Sequence, residues 1–340
     1  MQTHVFSCVE PAALTAGVEA ACEVLHRGEV VALPAETVYG LAGDALNPVA
    51  AARIFEAKER PFFDPLICHL PDRGWLEAFT DIPGALRPQV ERLVEAFWPG
   101  PLTLVLPKRG CVPDLVSSGL STVAVRWSAH PMFQAVLTRF GRPLAAPSAN
   151  RFGRISPTTA AHVFSELRDR IPLILDGGPA VHGVESTIVA PGEGGLRILR
   201  SGPVTREQLA FFGTIVEGVG NEVGGAPEAP GQLTSHYAPR TPLQLLEAGW
   251  EGRRQIEPGA RAGLLAWRLA PPGFGASEVL SLGGDLVEAA AGLFAALRRL
   301  DEAGLDRIYA ERVPEEGLGA AINDRLQRAS ASRVNIKTCE

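Results

Sequence analysis

The chain has 340 residues, of which 46% are hydrophobic and 21% charged, and its formal net charge is −6. The length favours two domains, the composition excludes a disordered chain, and the acidic balance disfavours nonspecific binding of nucleic acid. With no apolar run of about 18 residues and no secretory signal, we expect a cytoplasmic protein without a membrane span. The five cysteines lie far apart and form no C-x-x-C motif, which favours reduced thiols over a zinc or redox site.

The first two hundred residues have the pattern of one α/β unit. Helical spacing covers residues 14–26, and Asn47-Pro48 predicts an N-cap followed by proline at the first helical position. That helix should end before Pro61, and another helix is predicted at 89–97. Strands are predicted at 30–33, 66–70, 102–106, 122–127, 144–146, 173–175, 186–189 and 196–200. Because strands outnumber helices, a large mixed sheet is favoured over a purely parallel one.

A second pattern begins after a stretch rich in Gly, Pro, Glu and Ala. Residues 216–232 lack hydrophobic periodicity, which is typical of a linker. Strands are then predicted at 243–246, 263–267, 279–282 and 307–310, and helices at 286–303 and 319–331. We therefore predict a first domain over 1–210, a linker over 211–240 and a small βαβ-type domain over 241–340. No glycine-rich nucleotide motif occurs in the sequence.

Four polar segments lie near the ends of these elements. They are Glu36-Thr37, Lys58 to Pro61 followed by Pro65 to His69, Pro147 to Asn150 with Ser156 to Thr158, and Glu185 to Thr187 with Leu199 to Pro203. Together their cations and hydroxyls favour a phosphorylated ligand, because arginine binds phosphate through paired hydrogen bonds. Few carboxylates are available as an acid and base pair, which favours electrostatic stabilisation over hydrolytic chemistry.

Each of these residues also has an ordinary structural explanation. Lys58 and Arg60 could simply favour a helix C-terminus. Ser148 and Asn150 could be turn residues, and Arg126 could be an exposed strand residue.

Eight motifs, in order between about residues 30 and 205, resemble the YrdC-like threonylcarbamoyl-AMP synthase family. They are PAETVYGL, KERP-x-x-x-PL-x-x-H, WPGPLT, TVAVR, APSAN, DGG, GVESTIV and ILRSGP. Residues 235–240 and the trailing domain resemble the long form of the family. One departure is Ala35, where threonine is common. The resemblance implies a YrdC-like domain with a large twisted mixed sheet and open cleft, plus a small Rossmann-like α/β C-terminal domain.

The resemblance implies a nucleotidyltransferase, an L-threonylcarbamoyladenylate synthase. It would make threonylcarbamoyl-AMP and diphosphate from L-threonine, bicarbonate or CO2, and ATP, for threonylcarbamoylation of adenosine 37 in tRNA. Mg²⁺ would be carried by ATP, with no metal site on the protein. The product would pass to the downstream tRNA threonylcarbamoyl-transfer machinery, without stable binding of nucleic acid or membrane.

The resemblance also implies the site residues. Threonine would be held by Thr37, His69, Arg126, Ala146 and Ser186. ATP would be held by Lys58, Arg60, Thr122, Ser148, Asn150, Ser156, Arg200, His236 and Tyr237. Lys58, Arg60 and Arg200 would be catalytic, because they would neutralise charge between the anionic substrates. Thr122 and Arg126 share one face of a strand by alternation, so we expect ATP and threonine to meet over that strand.

Two other functions remain open at this point. A concave basic surface could bind double-stranded RNA or tRNA without catalysis, although the acidic net charge and the many hydroxyls weigh against it. Transfer from carbamoyl phosphate occurs in larger proteins that embed a YrdC-like domain. Those proteins carry extra zinc-finger and acylphosphatase regions, which this sequence lacks.

The linker residues His236 and Tyr237 have two interpretations. They could be ordinary residues at a domain junction, or, as in the long form of the family, part of a segment that folds over the cleft. Such a flap would exclude water from two intermediates that hydrolyse readily.

We predict that Tyr237→Ala lowers the yield of intact intermediate more than it lowers ATP binding, because the flap would act on water access. Product yield by mass spectrometry and ATP affinity by calorimetry measure the two effects. Equal losses in both would contradict the flap.

Overall fold

The computed structural model of the chain describes residues 1–8, 11–216, 227–246 and 261–331. The chain forms two compact units, the first from residues 1–152 and 156–232, the second from residues 153–155 and Leu233 onward. The first unit thus runs past the predicted boundary at 210. Most of the composition-based linker, at 217–226, lies outside the described residues, as does Cys339. The predicted boundaries and the folding of the linker over the cleft stay predictions.

The first unit is built on one large sheet. Its strands are β1 His4–Ser7, β2 Val31–Leu33, β3 Gly40–Asp44, β4 Ile67–His69, β5 Leu102–Pro107, β6 Thr122–Arg126, β7 Leu144–Ala145, β8 Leu173–Asp176, β9 Thr187–Gly192, β10 Gly195–Arg200 and β11 Ile215–Val216. Their order across the sheet is β1-β8-β2-β3-β7-β4-β6-β5-β9-β10-β11. Parallel and antiparallel pairs both occur, which confirms the predicted mixed sheet.

Helices pack on this sheet. They are α1 Pro11–His26, α2 Pro48–Lys58, α3 Gly74–Phe79, α4 Arg87–Phe97, α5 Asp114–Ser117, α6 Pro131–Phe140, α7 Ala160–Leu167 and α8 Arg206–Leu209. The two main hydrophobic clusters lie on opposite faces of the sheet. In β2, Ala32 belongs to one cluster, while Val31 and Leu33 belong to the other. Because β2 is covered on both faces, its sequence is continuously apolar and readily predicted.

Three strands of the sheet were not predicted, namely the two-residue β11 and the two strands β3 and β1, which carry weak sequence signals. β3 reads Gly-Leu-Ala-Gly-Asp, and glycine is a poor strand former. It is held by antiparallel pairing with β2 on one side and β7 on the other. β1 pairs with β8, which lies more than 160 residues later in the chain. Both strands therefore exist because of long-range pairing.

Helix α2 determines where two of the predicted site residues lie. The Asn47 side chain accepts a hydrogen bond from the Val49 N–H at 2.9 Å, and Pro48 is the first helical residue, as predicted. The helix ends at Lys58, before Pro61, and Glu59 adopts a left-handed conformation with φ 54°. Lys58 is thus the last helical residue, and Arg60 lies just beyond the helix.

The second unit contains a four-stranded parallel sheet. Its strands are β12 Leu243–Leu246, β13 Ala262–Ala266, β14 Ala276–Val279 and β15 Arg307–Glu311, and its helices are α9 Leu286–Glu302 and α10 Gly319–Ser330. The strand order is β12-β15-β13-β14. Five of these six elements match their predictions closely. The strand predicted at 279–282 is wrong, because β14 begins earlier, in a polar segment that alternation of hydrophobicity does not reveal.

Replacement of the N-cap tests the local basis of α2. We predict that Asn47→Ala lowers the free energy of unfolding by about 1 kcal/mol, because the Val49 N–H loses its partner. Asn47→Asp keeps a capping oxygen and should stay close to wild type. Urea unfolding of the three proteins measures this, and equal stability of Asn47→Ala and wild type would show that the cap contributes nothing.

Candidate active site

Three neighbouring strands align polar side chains in a row across the sheet. β4 runs parallel to β6 with His69 beside Arg126, and β5 runs antiparallel to β6 with Thr103 on the other side of Arg126. Residues in register project to the same face of a sheet. The row is extended by Ser186, whose hydroxyl lies 2.7 Å from that of Thr103. The structure thus brings together His69, Arg126 and Ser186, which are more than 50 residues apart in sequence.

Arg126 lies at the centre of this row and is only 3% exposed. Its Nε donates to the Gly100 carbonyl at 3.0 Å, and its Nη1 donates to the Thr37 hydroxyl at 3.1 Å. Its Nη2 lies 2.7 Å from Glu36 Oε1 in a buried ion pair. The interpretation of Arg126 as an exposed strand residue is therefore wrong.

Glu36 is the buried carboxylate of this pair. It also accepts hydrogen bonds from the Ser128 hydroxyl at 2.5 Å and from the Ala129 N–H at 2.9 Å. Burial alone would raise the pKa of Glu36, but the Arg126 charge and these hydrogen bonds lower the pKa to about 2. Glu36 is therefore ionised at neutral pH. Sequence reasoning noted Glu36 but gave it no role, although its position beside Thr37 at a strand end was a signal.

His69 contributes a neutral ring to the row. Burial, reinforced by the charge of Arg126, lowers the pKa of His69 to about 3. Its ring stacks on Phe133 with 4.5 Å between centroids. A neutral imidazole carries one N–H donor and one acceptor, so His69 can offer a hydrogen bond without adding charge.

Ser186 connects this row to Arg200, at the end of β10. Arg200 donates from Nε to the Ser186 carbonyl at 3.0 Å and from Nη2 to the Ser186 hydroxyl at 3.1 Å. Ala146 lies just after β7, and its N–H donates to the Ile67 carbonyl at 2.9 Å. The Ala146 N–H is thus engaged in the sheet.

A second cluster forms where α2 ends. The Lys58 ammonium is buried and donates to the Ser148 carbonyl and, at 2.6 Å, to the Asn150 carbonyl. Burial, with a contribution from the nearby Arg60, lowers the pKa of Lys58 well below its ordinary range. Lys58 therefore fixes the loop that carries Ser148 and Asn150, two of the predicted ATP-binding residues.

Asp64 is a fully buried carboxylate in this cluster that the sequence interpretation missed. It pairs with Arg60 at 2.9 Å between Oδ2 and Nη2. Burial raises the pKa of Asp64, while the charges of Arg60, Lys58 and Arg200 act in the opposite direction. Arg60 thus pairs directly with Asp64, and the charges of Lys58 and Arg200, the other two cations predicted to neutralise phosphate charge, act on the same buried carboxylate. The available signal was that Arg60 and Asp64 are four residues apart and that each directly precedes a proline.

Carboxylates are more abundant here than the sequence interpretation indicated. A third one, Glu185, is buried and accepts a hydrogen bond from the Ser156 hydroxyl. Each of the three carboxylates, Glu36, Asp64 and Glu185, interacts with a cation or a hydroxyl. This arrangement favours a role in positioning those cations and hydroxyls.

The three remaining predicted ATP-binding residues are Thr122, His236 and Tyr237. Thr122 begins β6, four residues from Arg126 and thus about 13 Å along the strand. His236 and Tyr237 belong to the second unit, where the Tyr237 ring stacks on Phe294 with 5.6 Å between centroids. The Arg325 guanidinium lies 5.4 Å from the Tyr237 ring centroid. Contact of His236 and Tyr237 with a nucleotide stays a prediction.

Two further kinds of site are absent from the described ranges. No group of three or more His, Cys, Asp or Glu side chains there could hold a metal ion. No helix among these residues is long and apolar enough to cross a membrane.

Residues 23–202 match the Sua5, YciO and YrdC family model, whose description is telomere recombination. Residues 204–331 match the model of the threonylcarbamoyl-AMP synthase C-terminal domain. The chain belongs to the YrdC-like threonylcarbamoyl-AMP synthase family, in its long form. It is 41% identical to the threonylcarbamoyl-AMP synthase of Bacillus subtilis, over 92% of this chain and 93% of that protein.

Two comparisons with proteins of Pyrococcus abyssi agree with this family. The chain is 40% identical to the threonylcarbamoyl-AMP synthase of Pyrococcus abyssi, over 91% of this chain and 93% of that protein. The crystal structure of P. abyssi Sua5 complexed with L-threonine matches with a TM-score of 0.87 and 37% identity, covering 96% of this chain and 98% of that one. The predicted fold class, with its extra C-terminal domain, is thereby confirmed.

The Glu36 pKa predicts how stability depends on pH. The folded value of about 2 lies below the ordinary 4.5, so ionised Glu36 stabilises the fold above pH 4.5 and loses this effect as the pH falls towards 2. At neutral pH we expect Glu36→Gln to lower the free energy of unfolding by about 3 kcal/mol, and the difference from wild type to shrink below pH 4.5.

Urea unfolding between pH 7 and pH 3 measures this difference. Glu19→Gln is the matched control, because Glu19 pairs with Arg139 at an exposed position and should cause little change. A large but pH-independent effect of Glu36→Gln would contradict the ionic origin of the stabilisation.

Proposed function

We propose that this protein is an L-threonylcarbamoyladenylate synthase. It joins L-threonine, bicarbonate or CO2, and ATP into threonylcarbamoyl-AMP and diphosphate, for modification of adenosine 37 in tRNA. The observation that carries the proposal is that Ser186 belongs to the row of polar side chains around Arg126, here called the Arg126 row, and also accepts a hydrogen bond from Arg200. Arg200 is a cation of the second cluster. Relatives about 40% identical over nine-tenths of the chain bear the name of this enzyme.

Threonine binds at the Arg126 row. The Arg126 guanidinium takes the substrate carboxylate, since it is a buried, fixed donor with the geometry that carboxylates prefer. The Thr37 and Ser186 hydroxyls and the neutral His69 ring offer hydrogen bonds to the remaining polar groups. P. abyssi Sua5, which shares this fold, forms a crystalline complex with L-threonine, and this supports the assignment.

ATP binds at the second cluster, with its Mg²⁺ carried on the phosphates. Arg60 and Arg200 neutralise phosphate charge, and Lys58 holds the loop that presents Ser148 and Asn150. Asp64 holds Arg60 in place before the nucleotide arrives. This arrangement favours catalysis by positioning and electrostatic stabilisation.

The reaction then follows from charge and geometry. Threonine binds as the zwitterion, and its ammonium then loses a proton. The neutral amine adds to CO2 and loses a second proton, which gives a carbamate. A carbamate oxygen forms a bond to the α-phosphorus of ATP, and the bond from that phosphorus to the bridging oxygen breaks. The electron pair leaves with diphosphate, whose charge Arg60 and Arg200 stabilise and to which nucleotide-bound Mg²⁺ would add further stabilisation.

The two alternative functions are less well supported. Binding of RNA without catalysis would need exposed cations, whereas Lys58, Arg60 and Arg200 are buried. Transfer from carbamoyl phosphate would not require a nearby site for an amino acid carboxylate. We expect the reaction to take place in the cytoplasm and its product to be used by the tRNA threonylcarbamoyl-transfer machinery.

We predict that diphosphate release requires threonine, bicarbonate and ATP together, and that mass spectrometry detects threonylcarbamoyl-AMP. Thr37→Val should raise the KM for threonine by about 10-fold and leave the KM for ATP nearly unchanged, because Arg126 loses a hydroxyl partner. Retention of RNA without threonine-dependent diphosphate release would refute the synthase and favour the binding module.

A further inference from the structure

Glu36 connects three segments of the first unit. All the described side-chain contacts of Glu36 go to residues 126–129, at the end of β6. Its backbone carbonyl accepts a hydrogen bond from the His182 N–H at 2.8 Å, in the segment after β8. Glu36 therefore connects its own segment to the end of β6 and to the segment after β8. These contacts fix the orientation of Arg126 most directly.

The contacts of Arg126 leave part of its guanidinium available. Its described partners are the Gly100 carbonyl, the Thr37 hydroxyl and the Glu36 carboxylate, one for each nitrogen. A guanidinium has five N–H donors. The hydrogen bonds engage two of them, on Nε and Nη1, whereas Nη2 lies beside Glu36 without a hydrogen bond. Each terminal nitrogen therefore keeps at least one N–H donor, which is what a carboxylate needs for a two-point contact.

Glu36 also determines the net charge around Arg126. The Arg126 and Glu36 charges cancel, and the neighbouring His69 is neutral. A zwitterionic amino acid adds no net charge to such a pair, whereas a simple carboxylate adds a buried negative charge. Burying a net charge is costly, so the pair should discriminate between the two ligands.

We propose that Glu36 is a positioning and specificity-determining residue, which directs Arg126 towards the substrate carboxylate and makes the pocket prefer a zwitterionic amino acid over a simple anion. The inference rests on the proposed binding of threonine at Arg126. It assigns a role in substrate binding to a residue that does not need to contact the substrate carboxylate.

The experiment compares threonine with 3-hydroxybutyrate, which is threonine without its amino group. Calorimetry gives the affinity of each ligand for wild type, Glu36→Gln, Arg126→Ala and the exposed control Glu19→Gln. For Glu36→Gln we expect threonine affinity to fall at least 10-fold, while 3-hydroxybutyrate affinity falls less or rises. The preference for threonine should therefore shrink, with the KM for ATP unchanged and kcat at saturating threonine within a few-fold of wild type.

The outcomes separate this inference from the proposed function. If Glu36→Gln binds threonine like wild type, or loses affinity for both ligands equally, while Arg126→Ala loses threonine, the role of Glu36 is refuted and the threonine site stands. If Arg126→Ala binds threonine like wild type, the threonine site itself is refuted. Glu19→Gln should match wild type in every measurement.

Ser128→Ala keeps the inference testable if Glu36→Gln does not fold. This change removes the hydroxyl that supports the Glu36 carboxylate but keeps its charge. Threonine affinity should then fall severalfold while the preference over 3-hydroxybutyrate is kept. Unchanged threonine affinity in a folded Ser128→Ala protein would refute the positioning role.

Discussion

The buried ion pair between Arg126 and Glu36 is the constraint on which the candidate site depends. Arg126 is almost fully enclosed, and an enclosed cation without a counter-charge would be strongly destabilising. Glu36 satisfies that requirement and is itself held by the Ser128 hydroxyl and the Ala129 N–H. The contacts that compensate the buried charge of Arg126 also fix the orientation of its guanidinium. The same contacts therefore determine both stability and binding geometry.

The second cluster also contains a buried carboxylate beside cations, and this carboxylate is Asp64. Arg60 pairs with Asp64 directly, and Lys58 and Arg200 lie close enough to affect its pKa. Cations held in this way before a ligand arrives need little reorganisation when phosphates bind, which is the general basis of electrostatic preorganisation. The site thus consists of one cation, Arg126, paired with Glu36 and of three cations near Asp64, and Ser186 contacts one of these three, Arg200.

Ordinary elements of the sheet, rather than a specialised loop, create this arrangement. Pairing of β4 with β6 and of β6 with β5 sets His69, Arg126 and Thr103 in one row, and a register shift of one residue would turn each side chain to the other face. The pairs join strands that are 20 to 60 residues apart in sequence. Sheet register therefore decides which polar residues become neighbours.

The sequence by itself determined the strongly patterned elements and the types of residue at the site. The doubly covered strand β2, the Asn47 cap and the helices α4 and α9 follow from local patterns of apolar and capping residues. Only the tertiary structure decided the pairing of Glu36 with Arg126, the enclosure of Asp64 and the existence of the glycine-rich strand β3. These depend on contacts across dozens of residues and on burial, because a carboxylate becomes a counter-ion only where the fold removes water from a nearby cation.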